Sequence, residues 1–232
     1  MRSKAKRLYN WLRQFHPGKR KLDRLAMEAR LYSLRKLDEL SRQTLASGGV
    51  KFERVLVDGQ WDNPNYWFRY ALIRRALGLY NAVETGLLGK YSREKIKASF
   101  ARIGIKRITD FHSISKVQGR HKRQARCLLK EVAESKDLLN LKLPAGFPAG
   151  FLYDEILKQQ RRAFVDLQDS KVMELTAQAI SNLEASRKML SKGRFDLVIL
   201  SHALGISYGA VACAAISLKI PVIVLYGDFG VS

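Results

Sequence analysis

Long apolar runs are missing from this sequence. No stretch approaches the roughly 20 residues that a membrane-crossing helix needs. Cysteine is scarce: Cys127 and Cys213 are the only two in 232 residues. They lie far apart in apolar, helix-like patterns and read as buried free thiols of a reducing compartment. Neither they nor the four histidines, His16, His112, His121 and His202, have zinc-site spacing, so no metal is expected. The start of the chain is basic, but no uninterrupted apolar stretch follows, so a signal peptide is not expected and the chain is placed in the cytoplasm. The signatures G-x-G-x-x-G, G-x-x-x-x-G-K-[ST] and G-x-S-x-G are absent as well. Their absence argues against a dinucleotide oxidoreductase, a P-loop nucleotidase and a nucleophile-elbow hydrolase.

Acidic residues are half as many as basic ones, 21 against 42, which leaves a net charge of +21. The excess is uneven. Residues 1–47 hold 13 basic and 4 acidic residues, a net +9, and residues 48–135 hold 18 and 8, a net +10. Residues 136–232 hold 11 and 9, a net +2. A positive front two-thirds attracts polyanions: anionic lipid, nucleic acid or phosphorylated substrates. An apolar fraction of 47% makes the chain globular rather than disordered.

Residues 1–49 read as a basic helical segment. Leu8, Trp11, Leu12 and Phe15 share one helix face, with Lys4, Lys6, Arg7 and Arg13 around it. Such a helix either packs on the domain with a solvated basic face or lies in an anionic membrane interface through those four apolar residues. Pro17-Gly18 closes it, and a second helical stretch covers residues 22–45.

From residue 50 the periodicity alternates between strand and helix. Residues 52–57 (FERVLV) form a strand, Asp58-Gly59-Gln60 a turn, and Asn63-Pro64 an N-cap followed by a first helical residue. Tyr66, Tyr70, Ile73 and Leu77 then share the apolar face, with Arg69, Arg74 and Arg75 turned away. A second strand is expected over 79–83 and a helix capped by Ser92, with Ile96, Phe100 and Ile103 inside. A third strand covers 105–111 and a basic helix 120–134, with Leu129 and Val132 inward. Residues 143–151 are a loop, and helices follow over 151–164 and 170–190. The C-terminal part is plainest: strand 195–200, turn Ser201–Gly205, a small-residue helix over 206–218 and strand 220–225. Near-continuous apolar strands around a helix indicate a parallel sheet covered on both faces. The fold class is therefore α/β, a Rossmann-like domain over 50–232 behind the basic segment 1–49. The chain ends one loop past a core strand, which reads as a fragment or one half of a divided protein.

Ligands of open parallel sheets bind beyond the carboxyl ends of the strands, where strand order reverses. In the order 3-2-1-4-5 the reversal brings Asp58, Gln60, Ser201 and His202 together. His202 and Asp58 are candidate bases. Gly59, Gln60, Ser201, Tyr208, Gly209 and Asp228 are candidate ligand contacts, and Asp110 and His112 form a weaker pair at the third strand's end.

The segment FDLVILSHALGISYGAVACAAISLKIPVIVLYGDFG resembles the end of the N-terminal domain in bacterial surface-polysaccharide glycosyltransferases of the two-Rossmann-domain, GT-B kind. VLVDGQWDNPNYWFRYALIRRALGL resembles the first strand–helix unit of the same domain. The resemblance implies an acceptor-binding half, with His202 or Asp58 as base and no cofactor held by this chain. It also implies a nucleotide sugar as donor on a second Rossmann domain, and a glycan or lipid-linked anionic acceptor from capsule or lipopolysaccharide synthesis at the inner membrane face. Two other readings stay open: a basic α/β protein that binds nucleic acid or modifies RNA, and a different sugar- or nucleotide-handling Rossmann enzyme.

Overall fold

A computed structural model describes residues 51–60 and 64–225. The segment 1–49 with Leu8, Trp11, Leu12 and Phe15, the expected cap Asn63 and the candidate Asp228 lie outside the described residues.

Five parallel strands form one sheet: β1 (Arg54–Gly59), β2 (Val83–Leu88), β3 (Arg107–Asp110), β4 (Leu197–Leu200) and β5 (Val222–Val224). Their order is β3-β2-β1-β4-β5, the arrangement assumed from the sequence. Leu56 pairs with Thr85 on one side and Val198 on the other, so β1 is the central strand. Val55, Leu56 and Val57 are all fully buried, which is why β1 shows no polar alternation. The Asp196 carboxylate accepts from the Glu53 and Arg54 amides at 2.7 and 2.9 Å and ties the entrance of β1 to that of β4.

Helices α1 (Pro64–Ala76) and α2 (Arg93–Arg102) cover one sheet face. Tyr66, Trp67, Tyr70, Ile96 and Phe100 pack there on Val55, Val57 and Ile199. Phe100 lies so close to the strands that a Cβ added at Gly59 or Gly86 would come within 2.4 or 2.5 Å of its ring. Four further helices complete the chain's connections: the single turn α3 (Phe111–Ile114), α4 (Gly119–Leu129), α5 (Ala149–Gln160) and α6 (Ser170–Gly193). The last helix is α7 (Gly205–Ser217). Helices α6 and α7 cover the other face, where Leu190, Val211, Ala214 and Ala215 meet Leu56, Val198 and Leu200. Alanines on α7 let it approach the sheet closely.

The long β3–β4 connection builds a lobe of its own. Ala125 of α4, Leu152 and Ile156 of α5, Val172, Ile180 and Leu183 of α6, and Ile206 and Ala210 of α7 share a separate apolar core. Phe147, from the segment expected to be a plain loop, is buried in it beside Phe151, with ring centroids 5.7 Å apart.

Several expectations are corrected here. The second strand is not 79–83: Leu79–Asn81 form a 3-10 turn, and β2 follows as VETGLL. Glu84, Thr85 and Gly86 break its apolar run, although Gly86 is there because the Phe100 ring occupies the space of a side chain. Arg74 does not face away. It is buried, pairs with Glu84 at 2.8 Å and donates to the Ile103 carbonyl at 3.0 Å. Tyr70 also donates its hydroxyl to Glu84, so the buried carboxylate is compensated from two sides. Ser92 sits in the left-handed region at φ 50° and makes no side-chain cap. Cys127 is exposed and Cys213 half-buried, so the thiol expectation fails for the first. Helix α4 ends at Leu129 and α5 at Gln160, where Arg161 adopts φ 55°.

Overpacking at the sheet–α2 contact is the first test. Gly86→Ala is expected to lose about 1–3 kcal/mol in urea unfolding. Adding Phe100→Leu should return part of that loss, with a coupling of at least about 0.5 kcal/mol. Strictly additive losses would show that the two sites do not share this contact.

Candidate functional site

Strands β1 and β4 run side by side and their connections leave in opposite directions, so a crevice opens between their carboxyl ends. Asp58, near the end of β1, is fully buried at its base. One carboxylate oxygen accepts from the Gln60 amide at 2.8 Å. The other accepts from the Ser201 amide at 3.0 Å and from the Ser201 hydroxyl. These three bonds favour the charged form, yet burial outweighs them and raises the Asp58 pKa above the ordinary carboxyl value.

A hydrogen-bonded chain leads outward from that carboxylate. Nδ1 of His202 lies 3.1 Å from the Ser201 Oγ. The Tyr208 ring stands beside it, 5.4 Å from the His202 ring. Burial pushes the Tyr208 pKa well above its ordinary value, so it stays a neutral phenol. With Asp58 ionised, the single Ser201 hydrogen goes to the carboxylate, so His202 must donate from Nδ1. That tautomer makes Nε2 the basic nitrogen.

The crevice widens into a cavity of about 660 Å³, within the range of small-molecule sites. Gln60, His202 and Tyr208 line it, joined by Lys90 and Tyr91 after β2 and His112 after β3. The far wall is the helical lobe, which supplies Glu155 and Lys158 from α5 and Gln178 and Asn182 from α6. Asn182 is buried and donates to the Ile206 carbonyl at 2.8 Å, while accepting from Gln178 at 2.7 Å. It anchors the first turn of α7 to α6. That turn begins at Gly205, whose φ of 74° strains any residue with a Cβ. Leu204 gives α7 no side-chain cap, and the first turn of the helix lines the cavity, so its leading amides are left without a capping side chain there. Gln60 adds a further polar group: it is 7% exposed and its amide nitrogen has no hydrogen-bond partner. As placed it would donate to a ligand acceptor, and a half-turn about its last torsion would instead present the oxygen to a ligand donor.

The expected residues therefore divide. Gln60, His202 and Tyr208 reach the cavity wall. Asp58 and Ser201, 0% and 3% exposed, stand behind His202, where they position it and do not meet a ligand. Gly59 and Gly209 are packing positions, under the Phe100 ring and the Phe151 ring. His112 lines the cavity, but Asp110 does not. Asp110 caps α3 and is gripped by Arg93 at 2.6 and 3.0 Å, which holds its carboxyl well below the usual range. Lys90, Tyr91, Glu155, Lys158, Gln178 and Asn182 were not anticipated. Asn182 shares the buried side of its helix with Thr176, Ser181 and Ser186, so no lone polar break marked it.

Asp58 also predicts a pH dependence. Its folded pKa is raised, so its contribution to stability is complete below the ordinary carboxyl range and is lost as pH rises through the raised value. Asp58→Asn removes that titration. Urea unfolding across this interval should give a flatter stability–pH slope for the variant, whatever its offset. Equal slopes would mean that Asp58 titrates as it does in the unfolded chain.

Compared with known protein families, with curated proteins and with solved structures, the chain matches none.

Proposed function

We propose that this chain is the acceptor-binding half of a GT-B glycosyltransferase of bacterial surface-polysaccharide synthesis, and that the crevice holds the acceptor sugar. The observation that carries the reading is His202 on the cavity wall, with its Nδ1 held by Ser201 and, through it, by the buried Asp58. Transfer to a hydroxyl group needs one base at the bottom of a polar cavity and no nucleophile from the protein. Ser201, the nearest hydroxyl, is buried and engaged with Asp58, which suits a positioning residue.

The lining fits a glycan. Gln60, Glu155, Gln178 and the first-turn amides of α7 offer donors and acceptors for hydroxyl groups. Tyr91, 69% exposed at the rim, offers a flat face on which the apolar side of a sugar ring can rest. Lys90 and Lys158 favour an anionic acceptor. In the step itself, His202 Nε2 takes the proton of the acceptor hydroxyl as that oxygen bonds to the anomeric carbon of the donor. The bond from this carbon to the diphosphate oxygen breaks, and the nucleoside diphosphate leaves with the electron pair. The nucleotide sugar would sit on a second Rossmann domain facing this crevice.

The full chain should retain a bacterial surface glycan on an array, and Tyr91→Ala should weaken that retention by about tenfold, the equivalent of one good contact. With a donor domain supplied, His202→Gln should keep acceptor binding but lower the transfer rate by about 10²–10⁴, the usual worth of a general base. Retention of RNA with a steep salt dependence and of no glycan would sink this reading in favour of a nucleic-acid binder.

A further inference from the structure

A second cavity, also about 660 Å³, lies on the sheet face away from α1 and α2, between strands β2 and β3 and helix α6. It shares no lining residue with the crevice. Arg54, Arg107, Lys188 and Lys192 line it, and no aspartate or glutamate does. None of the four forms an ion pair among the described residues. The Nε of Arg54 is buried with no hydrogen-bond partner. The nearby Asp196 carboxylate does not line the cavity, and one of its oxygens accepts the Glu53 and Arg54 amides.

These cations surround an apolar floor. Ile114 of α3 is 48% exposed, and Met189 and Phe195 complete the surface. Two features thus coincide in one concavity: an excess of positive charge with a buried donor unmet, and an apolar area open to solvent. A simple inorganic anion would satisfy the first and leave the second wet. A plain hydrocarbon would do the reverse. One carboxylate carries too little charge for four cations, whereas a phosphomonoester brings close to two charges and three acceptor oxygens. A flat bilayer surface does not fit into a recess between a helix and a sheet, but a single molecule does. Residues 1–47, at a net +9, would be repelled by this rim.

We propose that this cavity is a second ligand site, for a small phosphorylated amphiphile whose phosphoryl head meets Arg54, Arg107, Lys188 and Lys192 and whose apolar body lies on Ile114, Met189 and Phe195. The site is separate from the crevice, so it stands whether or not the glycosyltransferase reading does.

The test is titration calorimetry of the full chain with lysophosphatidic acid below its micelle concentration, beside glycerol 3-phosphate and beside vesicles of phosphatidic acid in phosphatidylcholine. The monomeric amphiphile should bind, and more tightly than glycerol 3-phosphate. The exposed double variant Lys188→Glu/Lys192→Glu, folded by circular dichroism, should weaken the amphiphile by about tenfold or more through charge reversal. Ile114→Ser should weaken the amphiphile and leave glycerol 3-phosphate unchanged. Absence of monomer binding, or binding indifferent to both the charge-reversed variant and Ile114→Ser, would overturn the proposal. So would vesicle binding alone that survives Lys188→Glu/Lys192→Glu, which would assign lipid contact to another surface.

Discussion

One buried carboxylate joins the two halves of this sheet at the point where its strand order reverses. Asp58 ends the hydrophobic part of β1, and Ser201 follows the last residue of β4. Parallel strands that exit toward opposite faces leave unpaired backbone at their ends, and the Ser201 amide is such a group. Asp58 takes it, together with the Ser201 hydroxyl and the Gln60 amide. Removing an acidic group from water opposes the charged form. Here three hydrogen bonds offset that penalty only in part, since the pKa remains raised. The consequence of the arrangement is an imidazole held at the cavity wall through Ser201.

Position then divides the chemistry. Asp58 has the carboxyl group but no access, Ser201 has the hydroxyl but no access, and His202 has both an imidazole nitrogen and a place on the wall. This ordering explains why proximity in the crevice does not by itself make a residue a contact. It also explains why the two glycines beside these residues matter for packing: Phe100 and Phe151 press the strand end and the helix into register where a methyl group would intrude.

What could be read in the sequence follows from how local each signal is. The runs at 52–57 and 195–200 announced buried strands because both faces of each are apolar. Asp58, Gln60, Ser201 and His202 could be brought together because strand order alone decides their proximity. β2 was displaced because its interior carries Glu84 and Gly86. Neither residue makes sense until Arg74, Tyr70 and Phe100 are in place, and these arrive from α1 and α2. Likewise Arg74 looked outward on a helical wheel because its partner lies on a strand ten residues later. Lys90, Glu155, Lys158 and Gln178 belong to loops and to the lobe. Their approach to His202 depends on tertiary packing that no local periodicity encodes.

A single departure from the plain doubly wound pattern accounts for both cavities. After β3 the chain does not return at once across the sheet. It turns through α3 and builds α4 and α5, which pack on α6 and α7 rather than on β2 and β3. Only α6, the end of this excursion, comes back to the sheet, and it settles over β1 and β4. The diverted helices stand beyond the carboxyl ends of the strands and so form the far wall of the crevice, with Glu155 and Lys158 facing His202 across it. The strands they fail to cover keep Arg107 and Thr109 open beside Lys188 and Lys192. Wall and open face are the two results of one topological choice, so lengthening or shortening the β3–β4 connection would remodel the crevice and the second cavity together.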